Sequence, residues 1–464
     1  GYATQKELER DLVQGDMFAI EEFKAKVNEE MDKVARTYDI FKDVQLKQAE
    51  DMAAFKRAKH ELKKRLAQLN DLLNHQMFGA VGTTADYDAW YQSHQPFHWL
   101  AEFYEIINGH GGFDVIIGNP PYVEYNKKVK GVAVSDLYKL VGYKTLSCGN
   151  LYAYVLERSK NIMRQEGYIS MIVPLSGHST ERMAPLVTNF YEKFRLHLHL
   201  NLSADANPQK LFEGVKFRLG IFIVTNNGVG KYSTKYTRWL ADERKFLFNA
   251  LVRYNSIEDY TYQNIIPKIA SPLFVSIAKK INTEKTQYFI GVGNLQCLYH
   301  NAPVNWIRSH TFVPYFCSER DGEGITTQLK SVSFDNGKQV KVGSCILNSS
   351  LFFIWWITNS DCYHLNKPEI VNFKYQYDKG VEKEICSVAD RLAKDMKKKS
   401  IRRVYNYKTT GRVEYDEFYM KLSKPIIDEI DKVLARHYGF TEEELDFIIN
   451  YDIKYRMGDE LNEE

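Results

Sequence analysis

The feature that most constrains the fold of this chain is a short apolar segment, Phe113–Gly118, with structure breakers on both sides. Gly111 and Gly112 precede it, and Pro120 and Pro121 follow it closely. A short apolar run bounded in this way is typical of a strand that is buried in a parallel sheet. We therefore predict a buried strand at this position.

The residues after this segment alternate between helical and strand patterns. The patterns predict helices at 151–164 and 181–194 and strands at 168–173, 196–202 and 219–225. Strands that alternate with helices indicate α/β layers. The last two strands are close enough in sequence to be antiparallel neighbours in the sheet.

The segments on either side have different patterns. In residues 1–96, apolar residues recur every three or four positions in two series, which predicts a helical hairpin. Residues 229–464 mix aromatic strands with a predicted hairpin turn at Asn336-Gly337, a buried helix at 348–356 and a helical end. We therefore predict three parts with α/β and α+β character, divided as 1–96, 97–228 and 229–464.

Composition limits the class of protein. The 464 residues carry a net charge of +3, so contact with nucleic acid must come from a local basic surface. Six cysteines and twelve histidines are scattered without metal-binding spacing, so we expect no metal site and no disulfide framework. The sequence has neither a signal-peptide pattern nor an apolar run of about 18 residues. These features predict a cytoplasmic protein that does not contact a membrane.

The motif that carries chemistry is Asn119-Pro120-Pro121-Tyr122, directly after the predicted strand, where α/β sheets place ligand sites. Its residue types suit methylation of an exocyclic amine, because the lone pair of such a nitrogen is delocalised into the ring. Two acceptors on the amine hydrogens favour a more nucleophilic nitrogen, and the Asn119 carboxamide and the Pro120 carbonyl can supply them. The Tyr122 ring can stack on a base swung out of the duplex. The alternative is an Asn-Pro turn followed by a core tyrosine.

These residues lead to a family resemblance. Segment 112–123 resembles the catalytic motif of N6-adenine-specific DNA methyltransferases of restriction–modification and phage-exclusion systems, including large Type II and IIG-like enzymes. Its surroundings are similar to those of the family at 97–103, 150–152, 167–174, 423–428 and 446–451. The resemblance implies transfer of a methyl group from S-adenosylmethionine to adenine N6 in double-stranded DNA after base flipping.

The resemblance also implies a fold and a second stacking residue. It places the C-terminal half of a Rossmann-like class I methyltransferase fold at 97–228, with a DNA target-recognition domain at 229–464. Segment 211–215 resembles the later family motif whose aromatic residue flanks the flipped adenine. On that resemblance, Phe212 stacks opposite Tyr122.

The chain departs from the family at the methyl donor. Such enzymes bind S-adenosylmethionine through a glycine-rich turn after an earlier strand and an acidic residue on the ribose. Nothing before Asp114 supplies either feature, so the donor-binding residues are unknown. We expect a missing segment or a partner subunit to bind the donor. We also expect it to cover strand 114–117, which would otherwise be a bare apolar sheet edge.

A basic stretch near the C-terminus is the second candidate site. Tyrosines are interleaved with its cations, and Asp395 is the one acid between positions 391 and 412. A solvated basic face is the ordinary interpretation, but contact with DNA phosphates is favoured after a DNA-modifying motif. The predicted DNA-binding residues are Lys397, Lys398, Lys399, Arg402, Arg403, Lys408 and Arg412.

Two other functions stay open at this point. The first is a DNA-binding specificity module without catalysis, which the missing donor site favours. The second is a methylase that acts on RNA or on a protein glutamine, where similar motifs occur. The large C-terminal part argues against the second, because such small enzymes do not need it.

Overall fold

The computed structural model describes residues 1–12, 17–46, 51–81, 86–204, 211–215, 217–291, 293–408 and 410–458. Up to residue 225 its helices and strands are α1 (Gln5–Leu12), α2 (Met17–Leu46), α3 (Met52–Val81), α4 (Tyr87–His94), α5 (Trp99–Glu102), β1 (Phe113–Gly118), α6 (Val134–Leu137), α7 (Leu151–Ile162), β2 (Met163–Pro174), α8 (Ser176–Ser179), α9 (Ala184–Asn189), β3 (Leu196–Leu202) and β4 (Leu219–Thr225).

The remaining elements are β5 (Gly230–Thr237), β6 (Tyr254–Ser256), α10 (Pro272–Thr283), β7 (Leu295–His300), β8 (Ser309–His310), β9 (Phe316–Ser318), β10 (Gly322–Glu323), β11 (Leu329–Phe334), α11 (Gly337–Asn348), α12 (Ser350–Asn359), α13 (Lys367–Val371), α14 (Lys379–Lys399), β12 (Ile401–Tyr407), β13 (Gly411–Glu417), α15 (Lys424–Tyr438), α16 (Glu442–Asn450) and α17 (Ile453–Met457). The chain therefore has the mixed α/β character that the sequence predicts.

The strands form three sheets. A six-stranded sheet has the order β1-β2-β4-β3-β5-β6, a four-stranded sheet has the order β10-β9-β13-β12, and a three-stranded sheet has the order β11-β7-β8. Strands β1 and β2 are parallel, with Ile116 opposite Ile169, whereas β5 and β6 are antiparallel. The larger sheet is therefore mixed, and the two strands predicted to be neighbours, β3 and β4, are adjacent in it.

The chain divides into two compact units. The first comprises Gly1–Met171, Thr188–Leu196 and Ile223–Val229, and the second comprises Ile172–Val187, His197–Phe222 and Gly230–Glu464. The predicted three-part division stays a prediction.

The first unit contains the helical hairpin that the apolar spacing predicts. Helices α2 and α3 pack through a stripe of buried residues. The stripe consists of Val27, Met31, Val34, Leu62, Leu69 and Leu73. The hairpin prediction is therefore confirmed, and the stripe is core.

The second unit contains a core of aromatic side chains on α12. Every residue of this helix is buried, including Trp355 and Trp356. Asp431 on α15 accepts hydrogen bonds from the backbone N–H groups of Ser350 (3.2 Å) and Leu351 (3.1 Å) at the helix start. The predicted buried helix is confirmed. Among the described residues, no single helix is long and apolar enough to cross a membrane, although the bent pair α11 and α12 passes by length and composition.

The predicted hairpin turn at Asn336-Gly337 is wrong. Asn336 is the N-cap of α11, and its side-chain oxygen accepts hydrogen bonds from the N–H groups of Lys338 (3.1 Å) and Gln339 (3.0 Å). Asparagine favours both turns and N-caps, because its short side chain satisfies nearby backbone donors in either setting. The buried apolar residues of α11 decide in favour of the cap.

Two other elements differ from their predictions. Strand β2 begins at Met163, so that Gly167 lies inside the strand instead of before it. A side chain at Gly167 would lie within 3 Å of the carbonyl oxygens of Phe113 and Asp114, so glycine permits the close pairing of β1. The predicted helix at 181–194 is instead a 3-10 turn, helix α9 and a second 3-10 turn.

Strand β1 is an edge strand and is not buried as predicted. It pairs with β2 on one side only, and the side chains of Val115 and Ile117 are 60% and 78% exposed. An apolar composition is compatible with a central strand and with an edge strand. It therefore does not show whether a second strand pairs with the other edge. The predicted cover for this strand is not among the described residues and stays a prediction.

Candidate active site

The Asn-Pro-Pro-Tyr motif lies at the carboxyl end of β1, in the first unit. Strand β1 ends at Gly118, opposite Met171 of the parallel strand β2. The next residue, Asn119, is exposed, whereas Pro120 is buried. A parallel pair therefore presents a free carboxamide at the edge where such sheets bind ligands.

Backbone hydrogen bonds fix the chain that follows the motif. The N–H of Leu151, at the start of α7, donates to the carbonyl of Val123 at 2.9 Å. The N–H of Tyr125 donates to the carbonyl of Gly149 at 2.9 Å, and Glu124 forms an antiparallel bridge with Asn150. The motif is therefore held between the end of β1 and the first turn of α7.

The Tyr122 side chain is half-buried against this helix start. Its ring meets the buried Tyr152 ring edge to face, with centroids 6.2 Å apart. Burial raises the pKa of Tyr122 to about 12, so the hydroxyl is protonated at neutral pH. The edge-to-face contact with Tyr152 helps to hold the Tyr122 ring, which is compatible with a stacking role.

A neighbouring tyrosine has a purely structural role. The hydroxyl of Tyr125 donates to the carbonyl of Tyr138 at 2.7 Å and accepts from the N–H of Leu140 at 3.0 Å. Its buried ring meets Tyr154 edge to face. Tyr125 therefore ties the loop after the motif to the segment before α7.

Two polar residues beside the motif were not predicted from the sequence. Buried Glu157 accepts hydrogen bonds from the N–H groups of Lys144 (3.0 Å) and Thr145 (2.9 Å) and from the Thr145 hydroxyl (2.7 Å). Buried Asn150 has a side-chain oxygen that receives no hydrogen bond from the described residues. A polar residue on a mostly apolar helix is the signal that could have identified Glu157.

The predicted second stacking residue lies in the second unit. The Phe212 ring is 49% exposed, and the carbonyl of Leu211 before it accepts a hydrogen bond of 2.6 Å from the Arg244 guanidinium. Residues 205–210 and 216 lie outside the described chain. The stacking of Phe212 opposite Tyr122 stays a prediction.

The predicted DNA-binding residues lie at the end of α14 and on the β12–β13 hairpin. Antiparallel pairing brings acids of β13 opposite the basic strand β12, so Asp395 is not the main acid that they meet. The ion pairs are Arg402–Asp416 (2.7 Å), Arg403–Glu417 (2.8 Å), Arg412–Glu414 (2.5 Å) and Lys399–Asp395 (2.8 Å). The sequence prediction counted acids only up to residue 412 and missed those on the returning strand.

Three lysines of this set are not paired in that way. The Lys397 ammonium lies over the Phe312 ring, 4.3 Å from its centroid. Lys398 and Lys408 are exposed and make no ion pair with any residue that the structure describes. Exposed Tyr405 and Tyr407 accompany them on β12. The hairpin therefore presents fewer free cations than its sequence suggests, together with aromatic surface.

The described residues show no cradle for a methyl donor. Two Gly-x-Gly patterns in the sequence could be considered for a glycine-rich turn. The one that starts at Gly228 precedes strand β5, and the one that starts at Gly291, whose central residue 292 is outside the described chain, precedes strand β7. Neither opens a helix, as a phosphate- or nucleotide-binding glycine turn does. No group of three His, Cys, Asp or Glu residues in the described ranges is placed to hold a metal ion.

Part of the chain is similar to a known protein family. Residues 21–212 match the model of the Eco57I restriction-modification methylase family. The match includes the Asn-Pro-Pro-Tyr motif, and it confirms the resemblance to restriction–modification methyltransferases. It also includes the helical hairpin α2–α3, which the sequence analysis placed outside the resemblance.

A curated relative is similar to part of the chain. The putative type II restriction enzyme and methyltransferase RM.MjaORFECS2P of Methanocaldococcus jannaschii is 30% identical over 112 residues. These residues are 24% of this chain and 9% of the relative. The chain therefore matches only a small part of that relative's length.

Solved structures resemble the chain weakly. The Type IIL restriction-modification enzyme MmeI in complex with DNA has 11% identity and a TM-score of 0.36, and the match covers 74% of this chain and 57% of that one. The Type ISP enzyme LlaBIII bound to DNA has 12% identity and a TM-score of 0.28, with coverages of 75% and 25%. At these scores the likenesses carry no argument.

Proposed function

We propose that this chain is the target-binding and catalytic portion of a DNA methyltransferase that modifies adenine N6 in double-stranded DNA. The observation that carries the proposal is the position of Asn119 and Tyr122. The motif follows an edge strand of a parallel pair, within a segment that matches a methylase family. The proposed fold of this part is the C-terminal half of a Rossmann-like methyltransferase, followed by a target-recognition domain.

The proposed chemistry concerns the amine of a flipped adenine. The Asn119 carboxamide oxygen and the Pro120 carbonyl accept the two N6 hydrogens, which keeps the lone pair available for attack. The Tyr122 ring stacks on the base, and its edge contact with Tyr152 holds it in place. Since Pro120 is buried and has no N–H group, its carbonyl is held in a fixed direction.

The proposed donor is S-adenosylmethionine, which the match to a methylase family favours. When bound, it supplies the electrophilic methyl group. The described residues do not fit a donor cradle, so no donor contact is assigned to this chain. The lack of a methyl-donor site among the described residues is also what supports the alternative, a DNA-binding specificity module without catalysis.

The test is methylation in cells and in solution. A host that expresses the wild-type chain with any donor-binding partner should acquire N6-methyladenine at one sequence, and a host that expresses Asn119→Ala should not. Transfer of labelled methyl groups to DNA, RNA and protein in parallel distinguishes the proposed substrate from the alternatives. Label on RNA or protein alone would overturn the proposal, and DNA binding without label would favour the specificity module.

A further inference from the structure

A cleft in the second unit lies apart from the Asn-Pro-Pro-Tyr motif. Its walls come from strands β7 and β8, from the β12–β13 hairpin and from the segment 314–328 between them. The cavity has a volume of about 800 Å³, which is sufficient for a nucleotide-sized ligand. All of these elements belong to Gly230–Glu464.

The strand register places three basic side chains on one wall of this cleft. Leu298 lies opposite His310, and Tyr299 lies opposite Ser309. The N–H of His300 donates to the carbonyl of Arg308 at 2.9 Å, which continues the same ladder. Because side chains alternate along a strand, His300, Arg308 and His310 project from one face.

The other face of the same strands is occupied by structural contacts. The Ser309 hydroxyl donates to the carbonyl of Leu298 at 3.1 Å and bonds the Ser344 hydroxyl at 3.2 Å. The N–H of Ser309 donates to the Asn348 side chain at 2.8 Å. Helix α11 therefore covers one face, and the face with Arg308 is left toward the cleft.

Arg308 is a half-buried cation without a partner. Its guanidinium makes no ion pair and no hydrogen bond with any described residue, and burial lowers its pKa. Glu417, an acid that lines the same cleft and attracts Arg308 electrostatically, is already bonded to Arg403 at 2.8 Å and to the Tyr419 hydroxyl at 2.5 Å. At the rim of the cleft, Arg320 pairs with Asp321 at 2.8 Å. Arg308 thus differs from Arg320, since a desolvated cation normally has an ion-pair partner.

One of the two histidines beside Arg308, His310, also has an unused hydrogen-bonding atom. His310 is 3% exposed, and its Nδ1 atom has no hydrogen-bond partner among the described residues. The Nδ1 atom of His300 accepts a hydrogen bond from the N–H of Ala302 at 3.4 Å, so its proton is on Nε2. Burial lowers the pKa of His310 to about 3 and that of His300 to about 4, so both rings are neutral donors at pH 7.

We propose that Arg308 and His310 form a binding site for a phosphate group. A guanidinium binds two oxygens of a phosphate in a bidentate manner, and an imidazole N–H can bind a third. A carboxylate offers only two oxygens and matches this donor set less well. Tyr407 and Tyr415 line the opposite wall, where they can contact a sugar or base attached to the phosphate. The site does not depend on the proposed methyl transfer.

The test is calorimetric titration of the whole chain with inorganic phosphate, with acetate as the carboxylate comparison. Arg308→Gln should weaken phosphate binding about tenfold or more, because charge-assisted hydrogen bonds are lost. Arg320→Gln removes a paired arginine at the rim of the same cleft and should leave phosphate affinity within about twofold. Arg308→Lys keeps the charge without the bidentate fork and should give an intermediate affinity.

Stability and DNA binding provide independent readouts. Because the Arg308 guanidinium is half-buried and forms no ion pair or hydrogen bond with any described residue, Arg308→Gln should change the melting temperature little. If it also reduces the salt slope of duplex binding by about 0.9, the phosphate belongs to the DNA backbone. An unchanged slope together with lost binding of phosphate and of a mononucleotide assigns the site to a free phosphate compound. Equal phosphate affinity in wild type and Arg308→Gln, equal affinity for acetate, or a wild type that does not bind phosphate would overturn the proposal.

Discussion

At the residue scale, Asn119 and Tyr122 have different proposed roles, so their substitution should affect different steps of methylation. In an assembled or complemented enzyme, Asn119→Ala should slow single-turnover methylation about 100- to 1,000-fold, because one preorganised acceptor is lost where charge develops. Tyr122→Ala should weaken capture of the base by roughly 1–3 kcal/mol, and Tyr122→Phe should be much milder because the ring face remains. The measurements are the single-turnover rate and the melting temperature of the same variants.

Tyr125 provides the matched structural control for this prediction. Tyr125→Phe removes a buried hydroxyl that makes two hydrogen bonds, so it should lower the melting temperature. If Tyr122→Ala instead lowers the melting temperature and Asn119→Ala methylates at the wild-type rate, the motif is an Asn-Pro turn with a core tyrosine.

Two glutamates that cap helices should change the thermal stability of the protein with pH in opposite directions. Glu369 accepts from the N–H of Asn366 at the start of α13, and burial raises its pKa to about 7. Glu444 accepts from the N–H of Thr441 at the start of α16. Burial alone would raise the pKa of Glu444, but hydrogen bonds from Lys280 and Ser276 outweigh burial, and the pKa is lowered.

The sign of each effect follows from proton linkage. At Glu369 the folded protein binds more protons than the unfolded chain. The stability that this residue contributes is therefore fully present below about pH 4.5 and is lost as the pH rises to about 7. Glu369→Gln should therefore raise the thermal midpoint by a few degrees at pH 8 and have little effect at pH 4.5. Glu444→Gln should lower the midpoint at pH 8 and have a smaller effect in acid. Thermal unfolding at both pH values checks the pair, and a common direction at pH 8 would contradict it.

At the scale of elements, the basic stretch at the end of α14 and on the β12–β13 hairpin contains both unpaired cations and cations neutralised by ion pairs. Replacing Lys397, Lys398 and Lys399 with Ala should weaken binding to all DNA sequences and lower the salt slope by up to about three units. Because Lys399 is paired and Lys397 lies over a ring, Lys398 should contribute most of the change. The measurement is duplex affinity at several salt concentrations.

An exposed arginine on another helix gives the matched control. Arg436 is on α15, paired with Glu384 at 2.6 Å, and Arg436→Ala should leave the salt slope unchanged. An unchanged salt slope in the triple-lysine variant would assign the end of α14 to ordinary solvated surface.

The ends of helices could be predicted where the residue type at the end determines the local structure. The stop of α15 at Gly439, whose φ is 65°, and the capping box of Thr441 and Glu444 follow from residue type alone. The cap at Asn336 was misassigned as a turn because both structures use the same side-chain chemistry. The acids that neutralise Arg402 and Arg403 come from the returning strand, and so depend on strand register.

At the scale of the whole molecule, the four predicted strands form and the last two are adjacent, but the predicted burial of β1 is wrong. Asn119 and Tyr122 could be identified because the motif is contiguous in sequence. The cleft around Arg308 could not, because its walls come from segments joined only by folding. Whether a strand is buried depends on the elements that lie on both sides of it. The composition of the strand describes only the strand's own residues, so it did not predict the exposure of β1.

The last prediction concerns the methyl donor. A strong site for S-adenosylmethionine needs a glycine-rich turn at a helix start and an acid on the ribose, and the Gly-x-Gly triplets that start at Gly228 and Gly291 precede strands. The isolated chain should therefore bind S-adenosylmethionine more weakly than micromolar. Calorimetry measures this directly, and duplex binding by the same preparation controls for folding. A micromolar dissociation constant, about −8 kcal/mol, would show that the chain binds the donor through residues of another kind. Because the edge of β1 is uncovered in the described chain, binding that appears only with a second component would identify that component as the donor-binding part.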